Sequence, residues 1–154
     1  MFWFAVASHI PAVFLALACV LGGVFPGVAV FSITIAVFFA DKVPGKLAVT
    51  AASGRGVSLS LGVLHFVLLG LGIWALAAGA QLSVLDKLLI FTGLGLFFGQ
   101  ISNSNAHELI HAPSRLSRRL GAASYTSVLH GHHVSAQLRV HHIYAGTDAD
   151  PNSA

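Results

Sequence analysis

The sequence predicts an all-α, integral-membrane helical bundle of about four spanning helices, followed by a histidine-rich helical segment. Three observations predict it. Hydrophobic residues make up 56% of the 154-residue chain and charged residues only 8%, against roughly a quarter charged in ordinary soluble domains. Between Met1 and Ala106 the only charged side chains are Asp41, Lys42, Lys46, Arg55, Asp86 and Lys87. The stretches between them are long enough to cross a bilayer, which takes roughly 20 apolar residues per helix. Lastly, seven of the nine histidines fall between His107 and His142.

The first span is read at about 2–21, with Pro11 as a kink. The turn Gly22-Gly23-Val24-Phe25-Pro26-Gly27 ends it. The second is read at 28–40 and is short, so it is tilted, starts inside the turn or stops short of crossing. A polar loop, Asp41 to Val57, is rich in Gly and Ser and carries Lys42, Lys46 and Arg55. The third span is read at 58–80 and the fourth at 84–106. On the fourth, Gly93, Gly95 and Gly99 leave a small face where another helix can approach. Residues 107–154 then form the histidine-box region. No internal repeat is visible.

A net charge of +3 and a basic balance raise the question of nucleic acid. Eight basic residues, scattered as these are, do not make a phosphate-tracking surface, and no nucleic-acid partner is expected. The basic residues read instead as a topology signal. Three lie in the loop between spans two and three, and Arg115, Arg118, Arg119 and Arg139 follow span four. The excess of positive charge on cytoplasmic segments places both regions, and the N-terminus, in the cytoplasm. Cys19, the one cysteine, lies in an apolar run, which excludes a disulfide framework and a cysteine metal site. No Lys or Arg precedes the first apolar stretch, so it reads as a retained helix and not a signal peptide.

The chemistry lies in the histidines. In His107-Glu108-Leu109-Ile110-His111 the two imidazoles are at i and i+4. On a helix they share a face one turn apart and can grip one metal ion. The motif fits a zinc protease, with Glu108 as general base, and equally a helical box of a membrane di-iron enzyme. Tyr125 to His142 holds no proline and one glycine and reads as helical. His133, Gln137 and His141 then lie at i, i+4 and i+8, and His142 points about 100° away. Adjacent histidines that diverge suit two metals better than one. Imidazole suits zinc, copper, iron and nickel alike, so the metal stays open.

The run Asn105 to His111, followed by Leu138-Arg139-Val140-His141-His142-Ile143-Tyr144-Ala145-Gly146-Thr147 and Asp150-Pro151-Asn152-Ser153-Ala154, resembles the integral-membrane alkane 1-monooxygenases. These belong to the fatty acid desaturase/hydroxylase superfamily. The resemblance covers the last third in motif detail. Over the first two thirds it covers only the placing of spans, with Asp41 at the end of the second. It implies two non-haem iron ions held by three histidine boxes, with His107, His111, His141 and His142 as ligands. It further implies O2-dependent hydroxylation of the terminal methyl of an alkane or similar hydrophobic chain, with electrons from rubredoxin. The implied location is a bacterial inner membrane, with the boxes on the cytoplasmic side.

Three departures stand out. The resembled second box reads E-H-x-x-x-H-H, and here its first two positions are Ala136 and Gln137, with His133 one turn earlier as a substitute ligand. Ala112 follows the first box where Arg or Lys is usual. The chain stops before a third box, so the expectation is a piece of a longer protein, incomplete as an enzyme by itself.

Other readings compete at single residues. His9 and His65 read as hydrogen-bonded interior residues, and His130 and His132 as solvated or as neighbours of the ligands. Glu108 reads as a partner of the ligands or a weak ligand rather than a protease base. Arg115, Arg118 and Arg119 read as a headgroup anchor. Asp148 and Asp150 read as turn residues before Pro151. Leu94, Phe97 and Phe98 are candidates for a substrate channel, with core packing as the simpler role. The alternatives for the whole chain are an intramembrane zinc metalloprotease and a metal-free remnant.

Overall fold

The computed structural model describes residues 2–36, 51–144 and 147, with the side chains of 2–4, 36, 51–53 and 139–142 outside that description. Every element among the described residues is helical. The polar loop with Asp41, Lys42 and Lys46, and the segment with Asp148 and Asp150, lie outside the described residues.

Helix α1 runs Phe2–Leu21, with Pro11 inside it. It ends where Gly22 and Gly23 take positive φ values of 62° and 66°, which cost a residue without Cβ nothing. Gly22 also has no room for a side chain, since a Cβ there would lie 2.7 Å from Leu82 Cδ2. The reversal is tighter than the sequence suggests. Helix α2 already begins at Phe25, because proline is accommodated in a first turn, where its missing N–H has no partner to lose. Helix α2 comprises Phe25–Phe31 and a π-helical turn, Ser32–Ala36.

Helix α3 spans Ala51–Ala78. It starts before the expected Ser58, so Arg55 is helical and not in a loop. Gly54, Gly56 and the serines ended the apolar run without supplying a proline to stop the helix. Ser83 caps α4: its Oγ accepts from Asp86 N at 3.1 Å, and its own N–H donates to Asp86 Oδ2 at 3.0 Å. Helix α4 runs unbroken over Val84–His111, as α-helical Val84–Leu96, π-helical Phe97–Ser102 and α-helical Asn103–His111. The His107–His111 motif, the candidate first box (box 1), is therefore the end of the fourth helix. It stops at Ala112, extended at ψ 147°, as a residue before proline prefers.

Helix α5 spans Arg115–Ser127. Helix α6 (132–144) is assembled from His132–Ser135, π-helical Ala136–His141 and His142–Tyr144.

Helices α1 to α4 share one core, including Leu15, Cys19, Ile33, Leu68, Ile90, Leu94 and Phe97, with Phe98 packed against it. Leu94, Phe97 and Phe98 thus have packing roles. Of the small face expected on α4, only Gly93 is closely approached: a Cβ there would lie 2.8 Å from Leu15 Cδ2, whereas Gly95 and Gly99 meet nothing within 4 Å.

Two helical stretches, Gly54–Ala78 and Val84–His111, are long and apolar enough to cross a membrane. The apolar lengths described for α1 and α2 are shorter, Ala5–Leu21 and Phe25–Ile35. Only 33% and 22% of the most apolar windows of the two long stretches are buried. Val63, Ile73, Leu85, Leu88 and Phe91 point outward, each more than half exposed.

Candidate metal centre

The π turn in α4 sets which side of the helix box 1 presents. Ile90, Leu94 and Phe97 face the core, and an α-helix would continue that face through residues 101, 104 and 108. A π turn holds one extra residue and rotates the residues beyond it by roughly 100°. The buried positions become Ser102, Asn105, Ala106, Leu109 and Ile110. Glu108 is exposed, His107 is half-buried and His111 lies at the surface end.

The rings of His107 and His111 lie 4.8 Å apart, centroid to centroid, inclined at 55°. This is the pairing that the i, i+4 spacing anticipates. Three contacts hold the box in place. Asn105 Nδ2 donates to Ser58 O on α3 at 2.9 Å. One turn before the box, Ser102 Oγ bonds His65 Nδ1 at 2.5 Å, and His65 Nε2 reaches Ser127 Oγ at 2.7 Å. The third contact is Gly121 on α5, whose Cα lies against the box-1 backbone. A Cβ there would be 2.8 Å from Ala106 O and 2.9 Å from Ile110 N.

His65 and His9 are hydrogen-bonded within the bundle, as the sequence indicated; His9 bonds Ala5 O and Ser60 Oγ, both at 2.8 Å. The His65 network fixes its tautomer. Ser127 Oγ donates to Ser124 O at 2.8 Å, so it accepts from His65 Nε2–H. Nδ1 is then the acceptor, and Ser102 Oγ–H the donor.

The second cluster differs from the continuous helix expected over Tyr125 to His142. Helix α5 ends at Ser127, and Leu129 takes φ 65°. The His130 N–H reaches back to Tyr125 O at 2.8 Å and the Leu129 N–H to Thr126 O at 3.1 Å, which together form a Schellman cap. The chain turns, and α6 starts at His132. Over Ala136–His141 the bonding is i to i+5, so the regular i, i+4, i+8 register of His133, Gln137 and His141 does not hold.

His133 stacks on Tyr125 at 5.6 Å and 20°. The His132 ring lies 4.4 Å from it and the His130 ring 5.5 Å. Burial, then repulsion from His132 and His130 when these are charged, holds His133 below the ordinary imidazole range. It is therefore neutral at pH 7, with a nitrogen lone pair to offer. Burial likewise raises the Tyr125 phenol above its ordinary value, so it stays protonated.

Helix α6 packs on box 1 through Val134 and Leu138, against Ala106, Ile110 and Tyr125. Each apolar seam residue has a metal-capable or amide neighbour in sequence: His107 after Ala106, His111 after Ile110, His133 before Val134, Gln137 before Leu138. Gln137 Oε1 is buried and without a hydrogen-bond partner, which costs about 1–3 kcal/mol unless something satisfies it.

Among the described residues, no three His, Cys, Asp or Glu side chains come together to hold a metal ion. The side chains of His141 and His142 are outside the described set. His107 and His111 are brought together; His133 joins His130 and His132 instead; Glu108 stands apart on the exposed side. Gly121 and the Leu129 cap do not stand out in the sequence. For Gly121 the available signal is its place among the small, polar Ser117 and Ser124, at spacings of four and three. For Leu129 there is none.

Compared with family models, curated proteins and solved structures, the chain matches none.

Proposed function

We propose that this chain carries the membrane helices and histidine boxes of a di-iron monooxygenase that hydroxylates the terminal methyl of an alkane or a similar hydrophobic chain. O2 and electrons from rubredoxin are the co-reactants in this reading. The observation that carries it is the paired His107 and His111 at the end of a long apolar helix whose outward face is apolar. The order of H-E-L-I-H, H-H and T-x-x-D-P adds the family resemblance. Four helices cross the bilayer in this reading, with α1 and α2 completing what α3 and α4 begin.

The residues present fit part of a metal centre. His107 and His111 supply a pair of imidazoles from one helix face. His133 is held neutral. The unpartnered Gln137 Oε1, at a position where the resembled pattern has imidazole, is a donor without a use in the fold. His107, His111, His141 and His142 would hold the iron, with His133 or Gln137 adding a donor. Bound iron supplies the O2 chemistry, while the protein supplies position. Leu109 and Ile110, both buried beside the box, exclude water from its inner side. The outward apolar side chains of α3 and α4 let a hydrocarbon reach the box from the bilayer. Glu108, on the exposed side of the helix, meets solvent or a partner in this reading.

Metal analysis of the detergent-purified, full-length protein tests this. Iron should exceed zinc and approach about two per chain. His107→Ala or His141→Ala should remove most of it. One zinc per chain with peptide hydrolysis would replace this reading with the protease, and a metal-free bundle would end it.

A further inference from the structure

A cleft of about 420 Å³ opens where α4, α5 and α6 meet, lined by Ile110, Arg115, Arg118, Arg119, Val134 and Leu138 among others. Among the described residues, no carboxylate lines it. Arg115, Arg118 and Arg119 stand at i, i+3 and i+4 of α5, so one helix face presents all of them. Arg118 is anchored, its guanidinium donating to Ala112 O at 3.0 Å and Pro113 O at 2.6 Å. Arg115 and Arg119 are exposed. The remaining wall is aliphatic.

Depth selects the occupant. Helix α4 has 28 residues from Val84 to His111, about 42 Å of helix at 1.5 Å per residue. The hydrocarbon core is about 30 Å thick. If α4 enters at Val84, its last two turns leave the hydrocarbon and stand among the headgroups. Ile110 and the α5 arginines share that layer, and Leu116, 71% exposed beside them, has lipid to meet there. A guanidinium fork matches a phosphate geometrically, while Val134, Leu138 and Ile110 match the first methylenes below it. A zwitterionic headgroup would bring its own cation against the arginines.

We propose that this cleft binds the headgroup of one anionic phospholipid, its phosphate held by Arg115 and Arg119 and its glycerol end resting on Ile110, Val134 and Leu138. This is a single saturable site, distinct from the diffuse attraction of a basic segment to a charged surface. It rests on the membrane reading above but not on the identity of the metal.

The test is native mass spectrometry of the full chain in detergent, offered phosphatidylglycerol, phosphatidylcholine or inorganic phosphate. One phosphatidylglycerol should be retained per chain, with phosphatidylcholine lost first and millimolar phosphate failing to displace it. Arg115→Gln and Arg119→Gln should each weaken retention roughly five-fold, as expected for one basic residue at a membrane surface. Both are exposed, and each single variant is read alongside its circular dichroism, so an unfolded protein is recognised as such. Equal retention of the two lipids, or unchanged retention in both folded variants, overturns the proposal. Displacement by phosphate also overturns it, making the cleft a free-anion site. Failure of the membrane reading would look different: the chain would stay soluble without detergent and would not float with phosphatidylcholine vesicles.

Discussion

At the scale of single residues, two polar side chains inside the bundle carry the most consequence. His65 is satisfied on both nitrogens, by Ser102 and Ser127, and so ties α3 to the turn before box 1 and to the end of α5. Ser102→Ala would leave Nδ1 without a donor at a buried site, costing about 1–3 kcal/mol. Replacing all three groups, as Ser102→Ala, His65→Leu and Ser127→Ala together, removes the unpaired atoms and should cost less than the single change. Thermal unfolding in detergent compares them, and a triple variant weaker than the single would overturn this account of the network. Gln137 is the opposite case, since its buried Oε1 has no partner. If that oxygen or a water stands where an imidazole belongs, Gln137→His should raise iron content in the full-length protein, because nitrogen is the better ligand. If His133 already serves, Gln137→His changes little and His133→Ala removes the metal. Unchanged iron in both variants would mean that α6 does not form the second box.

At the scale of elements, α5 sets the position of box 1 through Gly121. Gly121→Ala places a Cβ within 2.9 Å of backbone atoms of Ala106 and Ile110. Backbone cannot swing aside as a side chain can, so α5 must back away, at about 1–3 kcal/mol. Gly95→Ala is the control: it meets nothing within 4 Å and should be neutral or gain up to about 1 kcal/mol from helix propensity. Equal melting temperatures for the two variants would mean that Gly121 does not position the box. Helix α5 also marks the limit of what its sequence discloses. The reversal at Gly22 and Gly23 is legible because a glycine pair at the end of an apolar run signals positive φ. The reversal after Ser127 is not, because the left-handed residue is Leu129, 89% exposed, and Gly131 comes two residues too late to mark it. A leucine there costs about 1–2 kcal/mol, so Leu129→Gly should stabilise the protein by about 1 kcal/mol, readable in the same melting experiment. The π turns hide for a related reason. Periodicity assumes 3.6 residues per turn, so the pairing of His107 with His111 is legible but the side of the bundle they share is not. The same assumption gives His133, Gln137 and His141 an even register that the π-helical Ala136–His141 does not keep.

At the scale of the whole molecule, the direction in which the apolar side chains face supports the proposed membrane setting. A long core helix of a soluble protein is mostly buried. Here α3 and α4 bury only 33% and 22% of their most apolar windows, and Ile73 and Phe91 stand 61% and 67% exposed. In water, outward faces this apolar would be an aggregation hazard; in lipid they are the solvent-facing surface. Between helices in lipid, close packing holds the bundle together and water exclusion contributes little. Small contacts such as Gly93 against Leu15 and Gly72 against Leu94 therefore matter more than they would in a soluble core. In the proposed membrane setting, orientation would follow from charge. Of the eight Lys and Arg residues, all except Lys87 lie before or at the very start of α3's apolar stretch or follow α4's, and translocating them is costly. The loop of five residues between α3 and α4, 79–83, carries no basic residue and crosses at least cost. Reporter fusions after Arg55 and after Ser117 should therefore both report the cytoplasm, and a fusion after Gln81 the opposite side. Because α3 begins at Ala51, the Arg55 fusion keeps only the polar first turn of that helix and leaves its apolar stretch out of the membrane. If the Arg55 and Ser117 fusions reported opposite sides, α3 and α4 could not both cross, and the histidine box would have to be sought at the other face of the bilayer.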